Sequence, residues 1–264
     1  MNRFILLLSL ALLAGCGLQQ PNETARSADV IQTQPENLSL FSNKATGGLP
    51  EGWEPMVIFR TKKQTRYELV NEQSQTVLHA HAQNASSGLM QKVSIDPLPQ
   101  PWLHWQWKIS DLVASINGVP HATEDSPARI ILGFDGDKDA LPFSDQILFE
   151  TARIFTGYEF PYATLMYVWD DKIPVGTVIP SHRSSRIKSV VVASGPGGVG
   201  EWRRFARNII DDYRRAFGEH PGRLIGIGVL TDNENAGETA EAWYGDIRLR
   251  PDAGALPGQS RAGQ

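Results

Sequence analysis

Leu103-His104-Trp105-Gln106-Trp107-Lys108-Ile109 alternates apolar and polar residues strictly, a period of two that predicts a half-buried strand. Val77 to Ala82 alternates less cleanly. Ala128–Phe134, Thr164–Trp169, Ile187–Ala193, Leu224–Leu230 and Ala242–Leu249 are apolar runs of strand length. Clusters such as Pro97-Leu98-Pro99-Gln100-Pro101 and Gly195-Pro196-Gly197-Gly198 punctuate them as turns. Two stretches carry helical spacing instead. The shorter starts at Ser144 as a cap, runs through Ile147, Leu148, Ala152 and Phe155, and stops at Gly157. The longer spans Glu201 to Phe217, with Trp202, Phe205, Ile209, Ile210, Tyr213 and Phe217 on one stripe and Gly218 placed as a C-cap. Many strands with two inserted helices predict a mainly β chain, an antiparallel β-sandwich of jelly-roll (galactose-binding or concanavalin-like) type.

The first residues follow a different pattern. Arg3 precedes an apolar run from Phe4 to Leu13 broken only by Ser9, too short to span a bilayer as a helix and fitting a signal-peptide core. It ends Leu13-Ala14-Gly15-Cys16, which resembles the bacterial lipobox, so Cys16 is expected to be lipidated after removal of residues 1–15. Cys16 is the only Cys in the chain, which excludes an intrachain disulfide. Gly17 at the next position points to the outer membrane, with the domain on its periplasmic face. Residues 16–39 are polar and read as a flexible tether, 40–250 as a single β-sandwich domain, and 251–264 as a disordered tail.

Composition narrows the function. With 264 residues the chain can bury a sizeable core, and the 24 Gly and 17 Pro agree with a turn-rich β fold. The net charge of −4 argues against a nucleic-acid partner. Cutting before Cys16 also removes the cation Arg3, so the mature domain gains no electrostatic help at an anionic lipid surface.

Several motifs stand along the chain: Trp105-Gln106-Trp107, Glu124-Asp125-Ser126-Pro127-Ala128-Arg129, Phe134-Asp135-Gly136-Asp137 and the run from Pro161 to Trp169. Glu201-Trp202, Arg207-Asn208, Asp212-Tyr213, Phe217-Gly218, Thr231-Asp232-Asn233-Glu234-Asn235 and Ala242-Trp243-Tyr244-Gly245-Asp246 complete the set. With these, residues 52–249 resemble the bacterial domain-of-unknown-function family three-zero-four-seven. That family usually reads Asp-Thr-Asp-Asn-Thr where this chain has Asp232-Asn233-Glu234-Asn235-Ala236, which loses the final hydroxyl. The resemblance implies an envelope β-sandwich similar to carbohydrate-binding modules. It supplies no catalytic residues.

The residues that could carry chemistry have plain readings beside them. Trp105 and Trp107 share a strand face with Leu103 and Ile109, so they read as core before they read as a sugar-stacking platform. Trp169 precedes Asp170-Asp171 and is placed at a rim. Arg129 faces away from Ala128, Ile130, Leu132 and Phe134 and needs a partner, with Glu124, Asp125 and Asp232 as candidates. Gly226 and Gly228 share a face and invite close approach of a packed side chain or a ligand. Asp135, Asp137 and Asp139 alternate like half a calcium loop, though Ala140 stands where such a loop wants Gly. A solvated acidic turn is the default there, calcium the alternative, and no other cofactor is expected. His79 and His81 share one strand face, a metal pair that no nearby Cys or acidic cluster completes.

Three functions from different classes follow. The first is a non-catalytic binding module for a saccharide, with Arg129, Trp169 and Tyr244 on the sheet and Asp125, Asp232 and Asn235 at its rim. The second is a carbohydrate-active enzyme using paired carboxylates drawn from Asp125, Asp232 and Glu234. The third is a lipoprotein that contacts another envelope protein through an exposed apolar patch.

Overall fold

A computed structural model describes residues 38–57, 61–112, 126–233 and 239–254. Among these, the strands are β1 (Glu54–Met56), β2 (Arg66–Glu72), β3 (Gln75–Gln83), β4 (Ser86–Ile95), β5 (Trp102–Ile109), β6 (Ser126–Phe134), β7 (Ala163–Asp170), β8 (Val178–Pro180), β9 (Ile187–Ser194), β10 (Arg203–Asn208), β11 (Leu224–Asp232), β12 (Thr239–Tyr244) and β13 (Arg248–Arg250). The helices are α1 (Phe143–Thr156), between β6 and β7, and α2 (Ile209–Phe217), between β10 and β11. The strands form a seven-stranded sheet in the order β1-β4-β11-β6-β7-β9-β8 and a six-stranded sheet in the order β10-β5-β12-β3-β2, with β13 also paired to β5. The architecture is a β-sandwich of jelly-roll type with two inserted helices. Its described pairings are antiparallel with a single regular exception, β7 beside β9, which run parallel. The link between them carries β8, which folds back antiparallel on β9.

Strand β5 behaves as its alternation predicts: Leu103, Trp105, Trp107 and Ile109 are buried and the residues between them half-buried. Trp105 joins the layers, because its ring stacks on Tyr167 of the large sheet at 4.9 Å and on Phe205 of β10 at 5.0 Å. Strand β6 is different, with all nine residues buried. Ala128, Ile130, Leu132 and Phe134 enter the core between the sheets, while Ile131 packs with Met56 and Leu230 in a second apolar cluster on the far face. A strand covered on both faces reads as a continuous apolar run, which is why β6 shows no alternation.

Three elements differ from the sequence expectation. The strand expected over Ala242–Leu249 is two, β12 ending at Tyr244 and β13 starting at Arg248. The helix expected over residues 201–217 is a strand followed by a shorter helix. Arg203–Asn208 pairs antiparallel along β5, with Phe205 opposite Trp105, because that edge of the sheet is open and satisfies the backbone of the whole segment. Helix α2 starts only where Asn208 caps it, its Oδ1 accepting from the amides of Ile210 at 3.1 Å and Asp211 at 3.2 Å. Gly218 closes it in the left-handed conformation, φ 77°. Helix α1 ends as expected at Gly157, but its N-cap is Pro142 and not Ser144.

The Asn208 cap has a measurable weight. Asn208→Ala leaves two helix amides without their acceptor and should cost about 1 kcal/mol. For a domain of this size that lowers the thermal midpoint by about 2–4 °C, readable by calorimetry.

Candidate functional site

The outer face of the seven-stranded sheet holds a cavity of about 500 Å³. The middle of its floor is apolar, with Met56 from β1, Ile131 from β6, Met166 from β7 and Leu230 from β11, and Ser87 of β4, Thr164 of β7 and Ser189 of β9 add hydroxyls to the lining. Helix α1 forms one wall with Leu148, Thr151, Ala152, Phe155 and Thr156, and Tyr158 and Phe160 continue it. Ile179, Pro180, Ser181, Ile187 and Ser189 close the opposite side. An aromatic stack ties the helix down, since Phe149 of α1 lies 5.2 Å from Phe160, which meets Tyr158 edge-on at 4.9 Å. Ser185 adds a hydrogen bond of 2.6 Å to the buried Asp145 of α1. Burial pushes the Tyr158 phenol up to about 12, so it stays a neutral donor at physiological pH, its oxygen 3.5 Å from Met56 Sδ.

The charged groups of the lining are Lys62, Arg129, Arg183 and Asp232. Lys62 and Arg183 are exposed, whereas Arg129 is 7% and Asp232 3% exposed. Arg129 Nη1 lies 3.3 Å from Asp232 Oδ2, and Asp232 Oδ1 accepts from the Ser126 amide at 2.8 Å. Arg129 Nε and Nη2 are buried and have no hydrogen-bond partner among the described residues. Of the three carboxylates considered for Arg129, the structure supplies Asp232, while Glu124 and Asp125 lie outside the described residues, as do Cys16, Glu234 and Asn235.

The other residues expected to face a ligand do not share this face. Trp169 is fully buried in the core, not at a rim, its Nε1 donating to the Gly195 carbonyl at 3.0 Å and its ring 5.1 Å below the Arg203 guanidinium. It lies one position out of phase with Met166 and Val168, and a strand sends neighbouring side chains to opposite faces. Tyr244 is also in the core. It crosses from the small sheet, and its hydroxyl donates to the Leu230 carbonyl at 2.9 Å and lies 2.7 Å from Thr231 Oγ1. Tyr244 thereby ties the two sheets together directly behind Arg129, whose amide donates to its hydroxyl at 3.4 Å.

The acidic turn is built by its own carboxylates. Asp137 caps a short 3-10 turn at Lys138–Ala140, accepting from the Asp139 amide at 3.0 Å, and Asp135 accepts from the Gly136 amide at 2.9 Å. Among the described residues no group of three His, Cys, Asp or Glu side chains is placed to hold a metal ion. The approach that Gly226 and Gly228 allow is made by Met90, whose Sδ would stand 3.0 Å from a Cβ at Gly226.

On the outer face of the small sheet, Glu241 joins the two histidines, a partner invisible in the local sequence because it arrives by pairing of β12 with β3. His81 Nδ1 is 2.9 Å from Glu241 Oε1 and His79 Nε2 3.5 Å. His79 also stacks on Trp243 at 4.8 Å. Burial lowers the His79 pKa below its ordinary 6.5, outweighing the opposite pull of Glu241 and Glu68. The folded protein thus holds His79 neutral while the unfolded chain takes up a proton at its ordinary value. Stability present above pH 6.5 is therefore lost as pH falls below it, down to the folded pKa. His79→Gln should flatten that part of a stability-against-pH curve measured by urea unfolding, whereas an unchanged slope would place the titration elsewhere.

The profile of a family described as protein of unknown function (DUF3047) matches residues 51–248, nearly the whole sandwich and its cavity. The chain belongs to this family. No curated protein sequence matches this DUF3047 member. Among solved structures it is similar to a family 29 carbohydrate-binding module complexed with mannohexaose, at 10% identity, covering 80% of this chain and 89% of that one, with a TM-score of 0.34. It is also similar to a family 11 carbohydrate-binding module from Clostridium thermocellum, at 10% identity, 84% and 96% coverage and a TM-score of 0.36. An endoglucanase from Rhodothermus marinus, cel12A, gives 9% identity, 71% and 88% coverage and a TM-score of 0.39.

Proposed function

We propose that this protein is a non-catalytic binding module that holds a small organic ligand in the cavity on the outer face of the seven-stranded sheet. The observation that carries the reading is Arg129, a buried cation that lines a cavity of about 500 Å³ and whose Nε and Nη2 have no acceptor among the described residues. Buried donors are normally satisfied, and an exception beside an open cavity supports a ligand that supplies the acceptor. The volume is in the usual range for small-molecule sites. Saccharides are one class to test, because their hydroxyl, ring and, in uronic acids, carboxylate oxygens are acceptors for Arg129. A thermal-shift series on the purified protein, with neutral saccharides, uronic acids, carboxylates and organic phosphates, tests the reading. A ligand that binds only the folded state raises the midpoint once its concentration exceeds the dissociation constant. At least one class should do so, with the shift reduced in Arg129→Lys; a shift untouched by that substitution overturns the site assignment.

A second reading, contact with another envelope protein, is favoured by the outer side of α1. Phe143, Ile147 and Ile154 are 76%, 50% and 70% exposed and fall on one stripe of the helix. Phe143→Ser with Ile154→Ser should abolish such a contact and leave the cavity ligand bound. For location, we read Cys16 as a lipid anchor on the periplasmic face of the outer membrane, on the strength of Leu13-Ala14-Gly15-Cys16 followed by Gly17. Cys16→Ser should then move the protein from the membrane to the soluble fraction.

A further inference from the structure

We infer that the ligand of this cavity is an amphipathic anion: a carboxylate or phosphate head on an apolar body. The inference rests on the binding-module reading and names its ligand class. Nη1 of Arg129 is turned to Asp232 at 3.3 Å, which leaves Nε and Nη2, both buried and unpartnered among the described residues. Those two atoms form one edge of the guanidinium, with parallel N–H bonds spaced for two oxygens of a single carboxylate or phosphate. A lone hydroxyl would occupy half of that edge.

The charges around the cavity agree. Lys62 and Arg183 stand exposed on its lining beside the buried Arg129, and Asp232 is the one carboxylate that lines it among the described residues. An anion that reaches Arg129 meets a guanidinium already desolvated and held by its partner. The floor then selects the rest of the molecule. Met56, Ile131, Met166 and Leu230 offer no hydrogen bond to a sugar hydroxyl lying over them, so an apolar body suits that part of the floor, while the hydroxyl side chains of Ser87, Thr164 and Ser189 border it. Methionine side chains adapt to a flexible chain or an aromatic ring alike. No tryptophan lines the cavity among the described residues to stack a pyranose.

Titration calorimetry on the full protein tests this with decanoate, decyl phosphate, decanol and a neutral oligosaccharide, each below its aggregation limit. Decanoate or decyl phosphate should bind, and the stronger of the two tells a carboxylate source from a phosphate one. Decanol should bind at least about tenfold more weakly, the loss of a charge-assisted pair of hydrogen bonds. Arg129→Lys keeps the charge and removes the fork, and should weaken the anion by about tenfold while leaving decanol unchanged. Met166→Trp fills the floor without touching Arg129 and should exclude every decyl probe; the melting curve of each variant reports that it is folded. Decanol binding as tightly as decanoate overturns the inference. Binding of the neutral oligosaccharide through Arg129, with the decyl anions silent, overturns it and leaves the binding module standing. Silence of all four probes overturns both.

Discussion

Asp232→Ala is expected to lower the stability of the folded protein by about 3–5 kcal/mol, the range for removing one partner of a buried ion pair. The side chains of Arg129 and Asp232 are 8% and 4% exposed, so water does not screen the charge left behind. Asp232 also accepts from the Ser126 amide, so the substitution frees a second buried donor at the start of β6. Arg129 would then have lost its anion and still lack partners at Nε and Nη2 among the described residues. The informative control is the double variant Arg129→Met with Asp232→Leu. Replacing a buried pair by apolar side chains is often neutral or stabilising. The floor of Met56, Ile131, Met166 and Leu230 would receive them. Urea unfolding of the single and double variants gives the coupling directly. Recovery in the double variant would mean that the pair serves binding and not folding, because folding manages without it. A double variant as unstable as Asp232→Ala would instead make the pair part of the fold's own framework.

The second large effect lies at the opposite side of the sandwich. Asp212→Ala is expected to cost about 3–5 kcal/mol, nearer the lower figure because Arg207 is 30% exposed at its side chain. Asp212 sits in the first turn of α2 and is 4% exposed. It accepts from Arg207 Nε at 2.8 Å, from Arg215 Nη2 at 3.0 Å and from the Tyr167 hydroxyl at 2.9 Å. That carboxylate therefore joins β10, α2 and β7, elements from both sheets and a helix. Burial, then the Asp212 charge, pushes the Tyr167 phenol well above its ordinary value, so it remains a donor and would be left unsatisfied. Tyr167→Phe removes only that hydroxyl and should cost about 1 kcal/mol. A loss below about 1 kcal/mol for Asp212→Ala would mean that the network is solvated like a surface ion pair.

Local periodicity carried much of the fold. The alternation through Trp105 and Trp107 requires a strand with those rings inward, and they are inward. The apolar stretches at Thr164–Trp169, Ile187–Ala193 and Leu224–Leu230 are all strands. Gly157 and Gly218 end their helices, because each needs a left-handed backbone that glycine adopts without strain. The side of β6 on which Arg129 falls was legible too, since a strand alternates whatever covers it.

Partners and edges are not local properties. Residues 203–208 carry a helical stripe, yet a free edge of β5 offers that backbone a ladder, and the ladder prevails. Trp169 and Tyr244 look available in sequence, but the sandwich closes over them: Tyr244 spends its hydroxyl across the core on Leu230, and Trp169 its Nε1 on Gly195 beside its own sheet. Asp232 reaches Arg129 only because β11 pairs beside β6, and Glu241 reaches His79 and His81 only because β12 pairs beside β3. The cavity itself is the clearest case. Met56, Ile131, Met166 and Leu230 come from four strands distant in sequence, and α1 covers them from a fifth position. The chain alone states which faces are apolar; which face is roofed, and which buried cation is left with unpaired donors among the described residues, is settled when two sheets and a helix pack against one another.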